Sequence, residues 1–153
     1  MTEALIRLRL SELEYDVAFD TWSRGNTLDK PNEKVIYKKD KMQDWLLRQI
    51  ENAVGEIKAA LRWCVDDHAH MTDDEIMDAP ESWEIHFKWQ GQWKGSESGL
   101  KSFAHQYVVN KALADWYEKI GMSFDSYLAK AAVALESMKN SARKNSVSTN
   151  FRL

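Results

Sequence analysis

Residues Ser102–Tyr117 read SFAHQYVVNKALADWY, and the apolar side chains in and around them fall on two sides of a helix. Leu100, Phe103, Tyr107 and Val108 mark the first side; Val109, Leu113, Trp116 and Ile120 mark the second. A helix with so wide an apolar surface touches neighbours on both sides, so this segment predicts the middle of a helical domain. Gly121 ends it. The polar groups in the stretch make no catalytic pair. His105 and Asp115 are ten residues apart, about 15 Å of axial rise, and His105 and Asn110 lie on different faces. These two are expected to hydrogen-bond to neighbouring backbone or to a facing subunit.

Downstream, SFDSYLAKAAVALESMKNSA starts at once, with Ser123 as its expected cap. Phe124, Tyr127, Leu128, Ala131, Leu135 and Met138 form one stripe, and the core is expected to end near Met138. The short link at Gly121 and Met122 makes the two helices an antiparallel hairpin.

Upstream, SWEIHFKWQ alternates Trp83, Ile85, Phe87 and Trp89 with Glu84, His86, Lys88 and Gln90, a strand with one apolar face. Its mate is the N-terminal ALIRLRL, with Ile6, Leu8 and Leu10 inward and Arg7 and Arg9 on a solvated face. Ser11 and Glu14 have capping-box spacing for a helix through Leu13, Val17 and Trp22 that stops near Gly25. GNTLDKPNEK is turn chemistry, and KVIYKK is too short to assign. Residues 40–67, DKMQDWLLRQIENAVGEIKAALRWCVDD, predict one long helix. Asp40 is its cap, Gly55 lies off the stripe, and the apolar stripe runs from Met42, Trp45, Leu46 and Ile50 on to Leu61, Cys64 and Val65. The acidic DDHAHMTDDEIMDAPES that follows reads as a loop.

The fold class is therefore mainly α: four helices in a bundle-like domain over residues 1–142, a small two-stranded sheet, and an extended C-terminal tail over 143–153. Two strands alone are marginal in water, so they must lie on the helices or gain strands from another chain.

A length of 153 residues suits one domain, and a net charge of −3 does not call for nucleic acid or an anionic membrane as partner. Seven tryptophans allow a sizeable core, and any surplus suits an interface. The single cysteine excludes an internal disulfide. The N-terminus reads as no signal peptide, and no stretch approaches the roughly 18 apolar residues of a membrane span. Phosphate-loop glycines and a serine in a glycine elbow are absent from the sequence. Cys64, His68 and His70, with acidic neighbours, are ligand types that zinc accepts. Their spacing fits no known zinc motif, and Cys64 continues a helical stripe, so a buried small hydrophobe is the plainer reading. Neither catalysis nor a metal or cofactor is expected.

The tail SVSTNFRL alternates Val147, Thr149, Phe151 and Leu153 with Ser146, Ser148, Asn150 and Arg152, strand periodicity without a mate nearby. A frayed terminus is one reading. Strand addition to another protein's sheet edge is the other, with Lys139, Arg143, Lys144 and Arg152 drawn to an acidic surface.

The succession LRLSELEYDVAFDTW, an amphipathic helix, WEIHFKW, HQYVVNKALADWY and YLAKAAVALESM resembles the head-to-tail connector, or adaptor, proteins of tailed bacteriophages and prophages. The likeness covers nearly the whole chain and rests on element order and on the HQYVVNKALADWY helix with its alanine-rich partner. The QGQWKGS turn and the DDHAHMTDDE loop depart from it. The resemblance implies a virion component of the neck, present in the host cytoplasm during assembly. It implies a homo-oligomeric ring, twelvefold in the family, beneath the portal protein, with tail or neck proteins docked below. DNA would pass through the ring without sequence-specific binding. It also implies that the C-terminus grips the portal through Arg143, Lys144, Val147, Thr149, Phe151, Arg152 and Leu153. On this reading the wide Leu100–Ile120 face serves both the core and, in part, the neighbouring subunit. The alternatives are a small metal-binding enzyme or regulator using Cys64, His68 and His70, and a nucleic-acid-binding accessory protein, which would need a basic stripe this chain lacks.

Overall fold

The computed structural model describes residues 1–66 and 80–144. The chain runs β1 (Thr2–Arg9), α1 (Leu10–Asn26), a 3₁₀ turn (Glu33–Val35), α2 (Lys39–Ala60), β2 (Ser82–Trp89), α3 (Glu97–Lys119) and α4 (Asp125–Ala142). Four helices and a two-stranded antiparallel sheet are thus present among the described residues, the mainly helical class the periodicity predicts.

α3 is the central element, touching α1, α2, α4 and β1. Its two apolar sides are why. Leu100, Ala104, Tyr107, Val108, Leu113 and Tyr117 are all buried. The hairpin with α4 turns at Gly121, whose φ of 76° is a left-handed conformation that glycine adopts without strain.

The two strands pair in the register Ile6↔Ile85, with Leu8↔Trp83 and Ala4↔Phe87 on the same face. That face is buried on the helices, as alternation requires. Arg7 stands opposite Glu84 on the outer face and pairs with it.

Several local expectations change. Leu10 is not the last strand residue but the first of α1, and its N–H bonds to the Glu81 carbonyl. Strand passes into helix without a loop, so Ser11 lies inside α1 and cannot cap it. Arg9 is the N-cap, with no side-chain bond, and Glu14 accepts instead from Tyr37 Oη and Gln43 Nε2. Lys38, not Asp40, precedes α2, and Phe124, not Ser123, precedes α4. Among the four described α-helices only α3 carries a side-chain N-cap, Ser96 Oγ accepting from Gly99 N.

α2 stops at Ala60 although its stripe continues. Leu61 and Cys64 stay buried, but Val65 bridges to Phe87, with Asp66 N–H donating to the His86 carbonyl and Lys88 N–H to the Cys64 carbonyl. β2 is therefore flanked by β1 on one edge and by this short segment on the other. The extra pairing comes from within the chain. Periodicity cannot distinguish these alternatives, since either conformation buries the same side chains.

The core also runs past Met138. Trp89 and Trp93 stack with centroids 4.2 Å apart. Their indole N–H groups donate to the carbonyls of Ala142 and Ser141. Lys94 N–H then donates to the Lys144 carbonyl. Leu128, expected in the stripe of α4, is 40% exposed. The acidic stretch of residues 67–79, with His68 and His70, lies outside the described residues, as do Val147, Thr149, Phe151, Arg152 and Leu153 of the tail. Among the described residues no helix is long and apolar enough to cross a membrane.

Candidate interaction surface

α1 explains itself on three sides and leaves the fourth open. Leu13, Val17, Thr21 and Gly25, spaced by four, face inward and are buried. Gly25 sits in a tight place. A Cβ at this position would lie 3.0 Å from Ile36 Cγ1 and 3.1 Å from the Asn32 carbonyl oxygen.

One shoulder of the helix is bonded to α3 and α4. His105 Nε2 lies 2.5 Å from Asp16 Oδ2, and Asp20 Oδ2 accepts from both Tyr117 Oη and Tyr127 Oη at 2.8 and 2.7 Å. The Arg24 guanidinium covers the Tyr117 ring at 4.1 Å. Burial, and then the hydrogen bond to Asp20, hold both tyrosines above the usual phenol range. The other shoulder is bonded to the 3₁₀ turn and α2: Glu14 accepts from Tyr37 Oη at 2.6 Å, and Thr21 Oγ1 accepts from Tyr37 N–H at 2.8 Å.

The outer side carries Tyr15, Phe19 and Trp22, which are 67%, 56% and 54% exposed. Their rings form a ladder, with centroids 6.3 Å apart for Tyr15–Phe19 and 6.1 Å for Phe19–Trp22. A helix stripe turned to water is normally polar. Three aromatics at i, i+4 and i+7 on that side are a continuous apolar surface of roughly 350 Å² at the usual area per ring. The largest patch on a typical monomer, often a functional one, is of this order.

Beside Tyr15 a groove of about 550 Å³ opens between the N-terminal halves of α1 and α3, lined among others by Ser11, Lys101, Ser102 and His105. Its polar side chains are paired: Lys101 faces Glu12 at 3.9 Å, and His105 faces Asp16. Ser102 Oγ accepts from Gln106 Nε2, and His105 Nε2 is turned to Asp16. Among the described residues no buried side-chain polar atom lacks a hydrogen-bond partner.

The residues singled out by sequence distribute as follows. His105 bonds to Asp16, a carboxylate of α1, rather than to backbone, while Asn110 Nδ2 donates to the Gln106 carbonyl within its own helix. Asp115 accepts from Trp45 Nε1 and pairs with Lys119, far from His105. Cys64 is buried, and burial pushes its thiol up to about 12, away from the thiolate that a metal needs. The described residues contain no cluster of metal-ligating side chains. Arg143 caps α4, and the Lys144 carbonyl is bonded to Lys94, so this end of the expected portal-docking tail is attached to the domain. The apolar sides of α3 are buried or half-buried within the chain, which leaves them little surface for a neighbour.

The ladder was missed by sequence reasoning. Trp22 was expected inside with Leu13 and Val17, but it lies on the opposite side of the helix. The signal was nonetheless present: Leu13, Val17 and Thr21 make one stripe and Tyr15, Phe19 and Trp22 a second, and one helix next to one core needs only the first. Comparison with known proteins adds no family: no protein-family model, no curated protein and no solved structure matches this chain.

Proposed function

We propose that this chain works by assembly rather than catalysis, as the head-to-tail adaptor of a tailed bacteriophage. Its support in the structure is the aromatic ladder of Tyr15, Phe19 and Trp22, exposed on a helix whose other sides are already packed. Its support in the sequence is the resemblance in element order. In this role copies associate side to side into a ring beneath the portal, and heterologous contacts close when the rotation between copies closes. The segment from Arg143 to Leu153 grips the portal, tail or neck proteins dock below, and DNA passes through without sequence-specific contact. The protein would reside in the virion neck and, before that, in the host cytoplasm.

The test is sedimentation of the full chain with portal rings, followed by electron microscopy of the pellet. Co-sedimentation that weakens with added salt, with a ring visible beneath the portal, is the expected result. Absence of binding at low salt would overturn the adaptor reading. So would a small-molecule turnover abolished by His105→Ala.

A further inference from the structure

The turn between β2 and α3 is built around two tryptophans. The Trp93 ring lies flat on Trp89, with centroids 4.2 Å apart and planes 5° apart. Both indole N–H groups reach the last turn of α4. Trp93 Nε1 donates to the Ser141 carbonyl at 2.8 Å, and Trp89 Nε1 donates to the Ala142 carbonyl at 2.9 Å. On its other side the turn holds β1. Trp93 N–H donates to Thr2 Oγ1, Thr2 Oγ1 donates to the Gly91 carbonyl, and Leu5 N–H donates to Glu97 Oε1. Gly95 makes room for this arrangement, since a Cβ there would meet the Trp93 ring.

The last carbonyls of a helix have no N–H partner within it. To continue α4, residue 145 would donate to the Ser141 carbonyl and residue 146 to that of Ala142. Both carbonyls already accept an indole N–H. One further bond, from Lys94 N–H to the Lys144 carbonyl, lies past the helix, where Arg143 and Lys144 are exposed. It joins exposed residues, so burial of the core does not account for it; its effect is to hold the point at which the chain leaves the domain. We infer that the Trp89–Trp93 clasp is the root of the C-terminal arm. It ends α4, ties Lys144 to the turn beside β1, and presents the sequence from residue 145 onward to its partner from a rigid base. A segment held at its root has less freedom to lose on binding. Trp89, Trp93 and Gly95 are thus positioning residues that act through Lys144. The inference rests on the adaptor reading for its partner, the portal ring, and on these hydrogen bonds for the root.

The experiment compares three full-length variants with the wild type. The double variant Trp89→Phe, Trp93→Phe keeps two stacked rings and removes both N–H donors. Gly95→Ala displaces the Trp93 ring. An insertion of Gly-Ser-Gly-Ser between Lys144 and Asn145 leaves the clasp whole and makes the attachment of the arm flexible. Amide hydrogen exchange is read first. The Lys94 and Lys144 amides should exchange about fivefold faster or more in the two clasp variants, and at the parent rate in the insertion. Unchanged exchange in both clasp variants overturns the root. Co-sedimentation with portal rings is read second. All three variants should bind about tenfold more weakly than the wild type. The insertion should do so at an unchanged Tm, which a role in stability alone would not produce. If a clasp variant fails to fold, the insertion decides. An insertion that binds at full strength overturns the rooted arm and leaves the adaptor reading intact. A wild type that does not bind portal rings removes the adaptor reading and the portal as partner, and hydrogen exchange then decides the root by itself.

Discussion

His105 Nε2 and Asp16 Oδ2 lie 2.5 Å apart, so α3 is bonded to α1 one residue away from the first ring of the ladder. The carboxylate is partly open to solvent, and solvent weakens such a pair. His105→Ala is therefore expected to cost about 1 kcal/mol in urea unfolding. The exposed ladder needs α1 in place, so the variant should also associate less well. Unchanged stability would show that the other contacts of α1 suffice to hold it.

Ile6 and Phe87 lie on the inner face of the sheet, 2% and 0% exposed. Ile6→Asp or Phe87→Asp would bury an unpaired charge, and a loss of several kcal/mol is expected. The check is the melting temperature of each variant against the parent; Ile6→Val, by contrast, should cost about 1 kcal/mol.

Four tyrosines, Tyr37, Tyr107, Tyr117 and Tyr127, are held above the ordinary range, first by burial and then by hydrogen bonds to Glu14, Glu56 and Asp20. The unfolded chain therefore loses these protons first, near pH 10. Stability from this source is complete below about pH 10 and falls as pH rises beyond it. Urea unfolding between neutral pH and about pH 11 should show that fall, and the double variant Tyr117→Phe, Tyr127→Phe should flatten it. An equally steep fall in the double variant would separate the alkaline limb from the Asp20 network.

Trp89 and Trp93 hold the carbonyls of Ala142 and Ser141, and Lys94 holds that of Lys144. A chain ending at Lys144 is expected to keep the parent fold and Tm. One ending at Met138 loses all three hydrogen bonds and the burial of Ser141 and Ala142, a loss of about 3 kcal/mol at roughly 1 kcal/mol per bond. Tryptophan fluorescence should report it through the Trp89–Trp93 pair. Equal stability of the two chains would show the clasp to be unimportant.

Cys64 is 1% exposed, and its thiol is pushed up to about 12 by burial. It is expected to react with an aromatic disulfide reagent only as fast as the protein opens, and immediately in denaturant. Rapid labelling of the native protein would reopen a metal or redox role for it.

Much of this architecture is determined by the sequence alone, through period. The spacing of Leu46, Ile50 and Ile57, the alternation through Trp83, Ile85 and Phe87, and the glycine at 121 each specify local conformation and an inward face, because burial follows side-chain direction. The antiparallel hairpin also follows from the shortness of its link. Other features were decided by tertiary structure. Whether Leu61–Val65 continues a helix or pairs with β2 depends on the free edge that Phe87 offers, which local pattern does not encode. Ser11 fails as a cap because the β1 strand runs straight into α1, and His105 finds its partner 89 residues away, on another helix. The ladder belongs to both levels. Tyr15, Phe19 and Trp22 are legible as a second stripe, but only the packing of α1 decides which of its stripes meets the core and which meets water.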